Sequence, residues 1–159
     1  MNEKLHLIGG YKIEYDVVGT VSKIKTNNNE IVWSELWENL YHQGDIGTAS
    51  LYFTVLISGV IEKFNLIEFN PIGLVVSIEL ARKSNGFEVL PAWIEGPYNN
   101  SIKNICLFVS KNLIEVRDPE FTKCSLALLA LNQGLKDLGS LIYEVNSGDE
   151  GELLNKYFK

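Results

Sequence analysis

Residues that could carry acid–base or metal chemistry are few in this sequence and lie far apart. The histidines are His6 and His42, and neither has a cysteine or a second histidine at the spacing of a zinc site. His42 lies in the last turn of a predicted helix, where backbone carbonyl dipoles favour a cation. A general base and a partner-contacting switch are the functional interpretations of His42, but a structural residue beside a glycine turn is favoured over both.

Carboxylates and glycines form no catalytic pattern either. Glu35 and Glu38 share one side of a predicted helix, and although paired carboxylates can transfer protons, this side is the polar, solvated one. Gly44 and Gly47 lack the rest of any phosphate-binding fingerprint, and no serine stands in a Gly-x-Ser-x-Gly elbow. We therefore predict a protein that is not an enzyme, with no catalytic, cofactor-binding or metal-binding residue.

Composition and charge narrow the class of protein. The chain has 159 residues, 46% of them hydrophobic and 21% charged, which is ordinary for one globular domain over residues 1–159. Its net charge of −6 argues against a nucleic-acid partner and suits a basic protein. The longest uncharged run, 46–61, is shorter than the roughly 20 residues of a membrane span, and no secretory signal is predicted. A cytoplasmic location without membrane contact is expected, with Cys106 and Cys124 as free, buried thiols.

The strongest helix signals lie between Glu30 and Phe64. Apolar residues recur every three or four positions after Glu30, which predicts a helix packed on a core, and Gly44 ends it. Asp45 is the predicted N-cap of the next helix, about 46–64, which is apolar almost all round and is expected to be surrounded by protein. The stripe of the first helix consists of Trp33, Leu36, Trp37, Leu40 and Tyr41.

Proline and glycine mark the later helices. Asn70-Pro71 and Asp118-Pro119 each combine an N-cap residue with a proline in the first turn, so each predicts a helix start. The pair Gly96-Pro97 predicts another start. Residues 1–29 are left open between a short helix and a strand. The remaining predictions are helix ends at 84–86 and 133–134, a helix at 135–145, a loop at 146–149 and a weak helix at 152–158.

One group of aromatic residues falls in a connection rather than on a helical stripe. Trp93, Glu95 and Tyr98 lie in a stretch rich in proline and glycine, where an aromatic side chain is more often exposed than it is on a helix. Aromatic anchors rimmed by polar groups are typical of protein-binding hot spots. Trp93, Glu95 and Tyr98 are therefore the predicted partner-binding residues.

The turn signals recur at a spacing typical of stacked helix pairs. Gln43-Gly44 and Gln133-Gly134 lie 90 residues apart, or two periods of 45, and Asn70-Pro71 and Asp118-Pro119 lie 48 apart. Helical repeats of the HEAT and armadillo kind have periods of about 40–47 residues. Every firmly predicted segment is helical and the connections are short. The predicted fold is therefore all-α, a short right-handed α-α superhelix of about three helix pairs.

A stretch of 15 residues carries a family resemblance. Leu36-Trp-Glu-Asn-Leu-Tyr-His-Gln-Gly-Asp-Ile-Gly-Thr-Ala-Ser50 resembles small bacterial HEAT-like proteins, which have a Leu-Trp, then a His-Gln-Gly turn, then an Ala-Ser start to the next helix. Leu90-Pro-Ala-Trp93 is similar to the proline-containing helix start of such repeats. The sequence departs from that group after Ser50, where Phe53-Thr-Val-Leu56 stands in place of Ala-Val-Pro.

The resemblance implies a protein-binding role without enzyme activity, such as that of an immunity protein that neutralises a cognate toxin. It gives His42, Gln43 and Gly44 a structural role in the turn. The leading functional expectation is therefore a non-catalytic protein-binding module that needs no cofactor and whose partner is another, basic protein. Two alternatives stay open: a small-molecule-binding or enzymatic α-solenoid with a site on its concave face, and a structural homodimer.

Overall fold

All the regular secondary-structure elements in the described part of the chain are α-helices. A computed structural model describes residues 6–24 and 29–145, and these form seven α-helices and no strand, which confirms the all-α prediction. The predicted loop at 146–149 and the predicted helix at 152–158 lie outside the described residues. The helices are α1 (Val17–Val21), α2 (Glu30–Leu40), α3 (Thr48–Phe64), α4 (Phe69–Ser84), α5 (Ala92–Asn112), α6 (Pro119–Asn132) and α7 (Lys136–Glu144).

Alternate helices pack side by side. Helix α3 lies against α5, α4 lies against α6, and α2 contacts α4. Helix α1 rests on α2 and α3 at one end, while α7 closes the other end by packing on α6 and α4. Of the successive helices, α1 and α2, α3 and α4, and α5 and α6 also touch, and the buried apolar residues form one continuous core.

The helix buried on all sides is α4, not α3. Residues 71–79 of α4 are all buried, whereas α3 keeps one side only partly covered, with Tyr52, Val55 and Leu56 half-buried and Gly59 exposed. The prediction for the second helix was wrong in this respect. Neighbours α1, α4 and α5 cover the rest of α3, and no described helix lies over that last side.

An N-terminal hairpin, not Asp45, covers the start of α3. Ile8 pairs with Glu14 in an antiparallel bridge. The amide of Ile8 donates to Thr48 Oγ1 (2.9 Å), and the amide of Ala49 donates to the carbonyl of Ile8 (2.9 Å). The N-cap position is Gly47, so the prediction of an Asp45 cap was wrong. Orphan amides at a helix start need acceptors, and here the hairpin backbone supplies one.

The turn between α2 and α3 is a two-residue hairpin turn. His42 and Asp45 exchange two backbone hydrogen bonds, of 3.0 and 2.8 Å, while Gln43 (φ 50°) and Gly44 (φ 89°) both adopt the left-handed conformation. The His42 ring lies against the ring of Tyr11, with centroids 4.0 Å apart. The carbonyl oxygen of Gly44 accepts from Asn85 Nδ2 (2.5 Å), which ties this turn to the end of α4.

The later helix boundaries mix confirmed and wrong predictions. Asp118 caps α6, since its Oδ1 accepts from the amide of Phe121 (2.8 Å) with Pro119 in the first turn, as predicted. Asn70 does not cap α4, which begins at Phe69 after Glu68. The end of α4 at Ser84 and the end of α6 at Asn132 agree with the predicted stops.

Helix α5 continues through the predicted break at Gly96-Pro97. It begins at Ala92, so Pro97 lies in its second turn and removes one backbone hydrogen bond without ending the helix. Burial of Ile94 and Tyr98 on either side of the glycine and proline holds the segment helical. Cys106 of α5 and Cys124 of α6 are buried free thiols, as predicted, and burial raises their pKa to about 11 and about 12.

Candidate binding surfaces

The three predicted partner-binding residues do not share one environment. Trp93, in the first turn of α5, is 46% exposed, and its ring lies 6.3 Å from the ring of Tyr52 on α3. Glu95 is exposed beside it. Tyr98 is only 1% exposed, so the prediction that it lies on a binding surface was wrong. Because α5 is already helical at this point, Tyr98 lies on the side of the helix that faces the core.

Tyr98 belongs to a buried polar network with Glu79 and Arg82. Its hydroxyl donates to Glu79 Oε2 (2.8 Å), and Arg82 pairs with the same carboxylate through Nη2–Oε1 (2.6 Å) and Nε–Oε2 (2.9 Å). Burial, then the nearby Glu79 charge, raises the pKa of Tyr98 well above its ordinary value. The hydrogen bond to Glu79 raises the pKa of Arg82. These partners satisfy one another, so we assign the network a structural role.

Glu35 and Glu38, which the sequence places on one side of a helix, lie in different environments. Glu35 is half-buried and accepts from Thr20 Oγ1 of α1 (2.7 Å), with Lys23 Nζ 3.7 Å from its other oxygen. Glu38 is exposed. Glu35 thus joins α2 to the N-terminal segment and does not work with Glu38 as an acid–base pair.

The first candidate surface is the uncovered side of α3 and α5, which we call the Trp93 face. It is defined by Tyr52, Trp93, Leu107 and the groove between the C-terminal halves of the two helices. Trp93 and Leu107 lie 14 positions apart on α5, about four turns, so both point to the same side, where Leu107 is 70% exposed. The groove has a volume of about 340 Å³ and is lined by Ser58, Glu62, Asn65, Asn104, Leu107 and Lys111, among others.

The second candidate surface is a cleft between α2 and the connection from α3 to α4, which we call the acidic cleft. Its volume is about 580 Å³. None of the described residues that line it is a lysine or an arginine, so its charged groups are carboxylates. The residues that define it are Glu30, Trp33, Trp37, Phe64, Asn65, Glu68 and Asn70.

The two indoles of the acidic cleft differ in the hydrogen bonding of their Nε1 atoms. Trp37 stacks on Phe69, with centroids 5.8 Å apart and planes at 11°, and its Nε1 donates to Asn70 Oδ1 (3.1 Å). Trp33 is 3% exposed, and its buried Nε1 has no acceptor at regular hydrogen-bonding geometry among the described residues, although the Glu68 carboxyl lies near enough to interact with it.

Glu68 is the carboxylate most affected by its place in the acidic cleft. Burial raises its pKa above the ordinary 4.5, and its interaction with the Trp33 indole lowers it by a smaller amount. The ionised form of Glu68 is therefore held in an environment that disfavours it. Carboxylates kept charged against desolvation are over-represented at functional sites.

Replacing Glu68 with glutamine is expected to raise the free energy of unfolding at pH 7 and to leave it unchanged at pH 4. The pKa of Glu68 is higher in the folded protein than in the unfolded chain, so the folded protein loses stability as the pH rises through that raised pKa. Glutamine has no charge to desolvate, so the variant avoids this loss at pH 7. Urea unfolding at the two pH values measures the difference. Glu38→Gln, which removes an equally negative but exposed group, is the control, and an equal gain from both variants would assign the effect to net charge alone.

Asn65 joins the two candidate surfaces. It is the C-cap residue of α3, in the left-handed conformation at φ 50°, and it lines both the groove of the Trp93 face and the acidic cleft. Asparagine tolerates this conformation better than most residues do. A ligand that covers the groove therefore reaches the rim of the cleft without crossing the core.

A third cleft, of about 430 Å³, lies where α7 meets α4. Tyr143 borders it, and its hydroxyl lies 2.7 Å from Ser77 Oγ and donates to the carbonyl of Gly73 (3.2 Å). Burial raises the pKa of Tyr143 to about 12. The hydroxyl is fully engaged with α4, so it positions α7 and offers no reactive group.

Within residues 6–24 and 29–145, no group of three or more His, Cys, Asp or Glu side chains is arranged to hold a metal ion. None of the helices in the same part of the chain has the length and apolar character needed to cross a membrane. No known protein family, curated protein or solved structure matches this chain.

Proposed function

We propose that this chain is a non-catalytic protein-binding module built as a short stack of helix pairs of the HEAT-like kind. The side-by-side packing of α3 on α5 and of α4 on α6 supports such a stack. The observation that carries the binding role is the Trp93 face, where a half-exposed indole rests on Tyr52 and shares a helix face with exposed Leu107. Aromatic anchors of this kind dominate the energetics of protein interfaces.

The proposed partner is a basic protein. The chain has a net charge of −6, and complementary charge speeds association and suppresses wrong partners. The resemblance of residues 36–50 to small bacterial HEAT-like proteins, some of which resemble immunity proteins, favours a partner whose activity the module blocks, such as a toxin. Binding then needs no reactive group on this chain, in keeping with the structural roles of Glu35, Glu79 and Tyr143.

Replacing Trp93 with alanine is expected to weaken partner binding by roughly 30-fold, which corresponds to the ~2 kcal/mol of an interface hot spot. The chain, Trp93→Ala and Leu126→Ala serve as parallel baits in an extract of the native source. A protein retained by the wild type and by Leu126→Ala but lost from Trp93→Ala is then purified, and its affinity is measured by calorimetry at two salt concentrations.

Leu126 is the matched control because it is an exposed apolar residue on α6, outside the Trp93 face. Affinity that falls with salt supports a basic partner. Equal affinity of the purified partner for the wild type and for Trp93→Ala contradicts the proposed face. A partner retained equally by all three baits contradicts it as well.

A further inference from the structure

We propose that Asn85 is a site of spontaneous deamidation, and that its conversion to a carboxylate releases the turn between α2 and α3 from the end of α4. This modification goes beyond the proposed function and does not depend on it. Gly86 follows Asn85, and no other asparagine in the sequence precedes a glycine. Because glycine has no Cβ, its backbone nitrogen approaches the side chain of the preceding residue with little steric hindrance.

The reaction is a hydrolysis whose co-reactant is solvent water. The backbone nitrogen of Gly86 attacks Cγ of Asn85, so a C–N bond forms and the bond from Cγ to Nδ2 breaks. Nδ2 leaves as ammonia and carries away the proton that the Gly86 nitrogen gives up. Water then opens the cyclic succinimide at either of its carbonyl carbons. The products are aspartate and isoaspartate at position 85, each with a carboxylate in place of the carboxamide, and nothing is oxidised or reduced.

The structure leaves the attacking nitrogen free. Gly86 follows the C-cap residue of α4, is exposed, and adopts the left-handed conformation at φ 79°. Its amide has no hydrogen-bond acceptor within residues 6–24 and 29–145. A methyl group at Gly86 would meet nothing within 4 Å, so the residue lies in open space. The nucleophile is therefore accessible and has no competing hydrogen bond.

The leaving nitrogen, in contrast, is held in place. Asn85 Nδ2 donates to the carbonyl oxygen of Gly44 (2.5 Å) and to that of Ala81 (3.0 Å). Both hydrogen bonds must break before Nδ2 departs as ammonia, and each one contributes a modest net stabilisation. Folding therefore slows the reaction at Asn85, and opening of the turn at Gly44 speeds it.

The product reverses the interaction that held Asn85 in place. A carboxylate has no hydrogen to donate, so the carbonyl oxygens of Gly44 and Ala81 would then face another acceptor. In isoaspartate the main chain also runs through the side chain, which lengthens the connection from α4 to α5. Deamidation thus removes the tie between the α2–α3 turn and α4 irreversibly.

The first test follows the loss of Asn85 in the purified full chain at neutral pH, both folded in buffer and unfolded in urea. Mass spectrometry of the proteolytic peptide that contains position 85 measures the gain of about one dalton with time. We expect conversion in both samples, with a rate roughly 30-fold lower in the folded chain because two hydrogen bonds must break there.

Two glycine variants test whether the Gly44 turn controls the rate. Gly44→Ala strains the turn, since φ is 89° and alanine disfavours that conformation, and we expect it to speed folded-state deamidation about fivefold. Gly134→Ala is the matched control, because Gly134 has φ 80° and equally open surroundings but lies between α6 and α7. It is expected to change the rate by less than about twofold. In urea both variants should deamidate at the wild-type rate.

A product mimic tests the structural consequence. Hydrogen exchange of the His42 and Asp45 amides, which bond to each other across the turn, is expected to be about tenfold faster in Asn85→Asp than in the wild type. Asn112→Asp is the matched control. Asn112 Nδ2 donates to the carbonyl of Phe108 (2.8 Å), four residues earlier, as Asn85 does to Ala81, but it has no bond to the turn.

The results divide clearly. Faster deamidation in Gly44→Ala than in Gly134→Ala, together with faster exchange in Asn85→Asp than in Asn112→Asp, supports the proposal. Survival of Asn85 in urea, or equal rates in the folded and unfolded chain, would overturn it. Equal exchange in the two aspartate variants would overturn the release of the turn. None of these measurements involves a binding partner, so they stand apart from the test of the Trp93 face.

Discussion

Replacing Arg82 with methionine is expected to lower the free energy of unfolding at pH 7 by about 3–5 kcal/mol, the range for removing one partner of a buried ion pair. The side chains of Arg82 and Glu79 are only 12% and 9% exposed, so the variant leaves a buried carboxylate without its counter-charge. Arg82 Nη1 also donates to the carbonyls of Phe87 (2.9 Å) and Glu88 (3.2 Å), which hold the connection into α5. Equilibrium urea unfolding measures the loss.

Lys123→Met is the matched control for Arg82→Met. Lys123 pairs with Glu120 at the same spacing of three residues and a similar distance (2.8 Å), but the two side chains are 22% and 46% exposed. Its removal is expected to cost less than about 1 kcal/mol. The double variant Glu79→Gln/Arg82→Met is expected to lose less stability than Arg82→Met alone, because no charge is then left buried. Similar losses from Arg82→Met and Lys123→Met would contradict a stabilising role for the network.

The buried network shows where sequence reasoning on the site stopped. Glu79 occupies a position of the apolar stripe of α4, yet a single sequence does not say which arginine and which hydroxyl will meet it. Tyr98 follows a glycine and a proline, which normally interrupt a helix and expose the chain. Tertiary packing overrides that local preference here, because continuing α5 buries Tyr98 and completes the hydrogen bonding of Glu79.

The helices themselves were predictable because their signals are local. Trp33, Leu36 and Leu40 recur on one face of α2 and are buried as the period requires. Asp118 caps α6 by accepting a hydrogen bond from the backbone amide of Phe121, only three residues later in the chain. Capping at α3 depends instead on the hairpin around Ile8, 40 residues earlier in the chain, and no local pattern announces such a contact.

The two candidate surfaces also differ in whether their residues carry a local sequence signal. Trp93 was identifiable because an aromatic residue in a stretch rich in proline and glycine is a local feature. The acidic cleft was not identifiable, since Glu30 of α2 and Glu68 before α4 are 38 residues apart and border one cleft only in the folded chain. Trp33 was assigned to the core from its periodicity, correctly, but its interaction with the Glu68 carboxyl depends on a residue 35 positions later in the chain.

Replacing Gly47 with alanine is expected to lower the free energy of unfolding by about 2–4 kcal/mol through a steric clash. The φ of Gly47 is −139°, which any residue can adopt, so conformational strain is not the cause. A methyl group at this position would collide with the carbonyl oxygens of Ile8 and Gly9. The hairpin would have to move away from α3, which breaks the hydrogen bonds of Ile8 with Thr48 and Ala49.

The same helix offers the control for Gly47→Ala. Gly59 lies in the exposed side of α3, and a methyl group there would meet nothing within 4 Å. Gly59→Ala is therefore expected to raise stability by up to about 1 kcal/mol, the difference in helix propensity between the two residues. Hydrogen exchange of the Gly9 and Tyr15 amides, which bond within the hairpin, should accelerate in Gly47→Ala and stay slow in Gly59→Ala. Unchanged exchange in Gly47→Ala would mean that the hairpin does not depend on close contact with the start of α3.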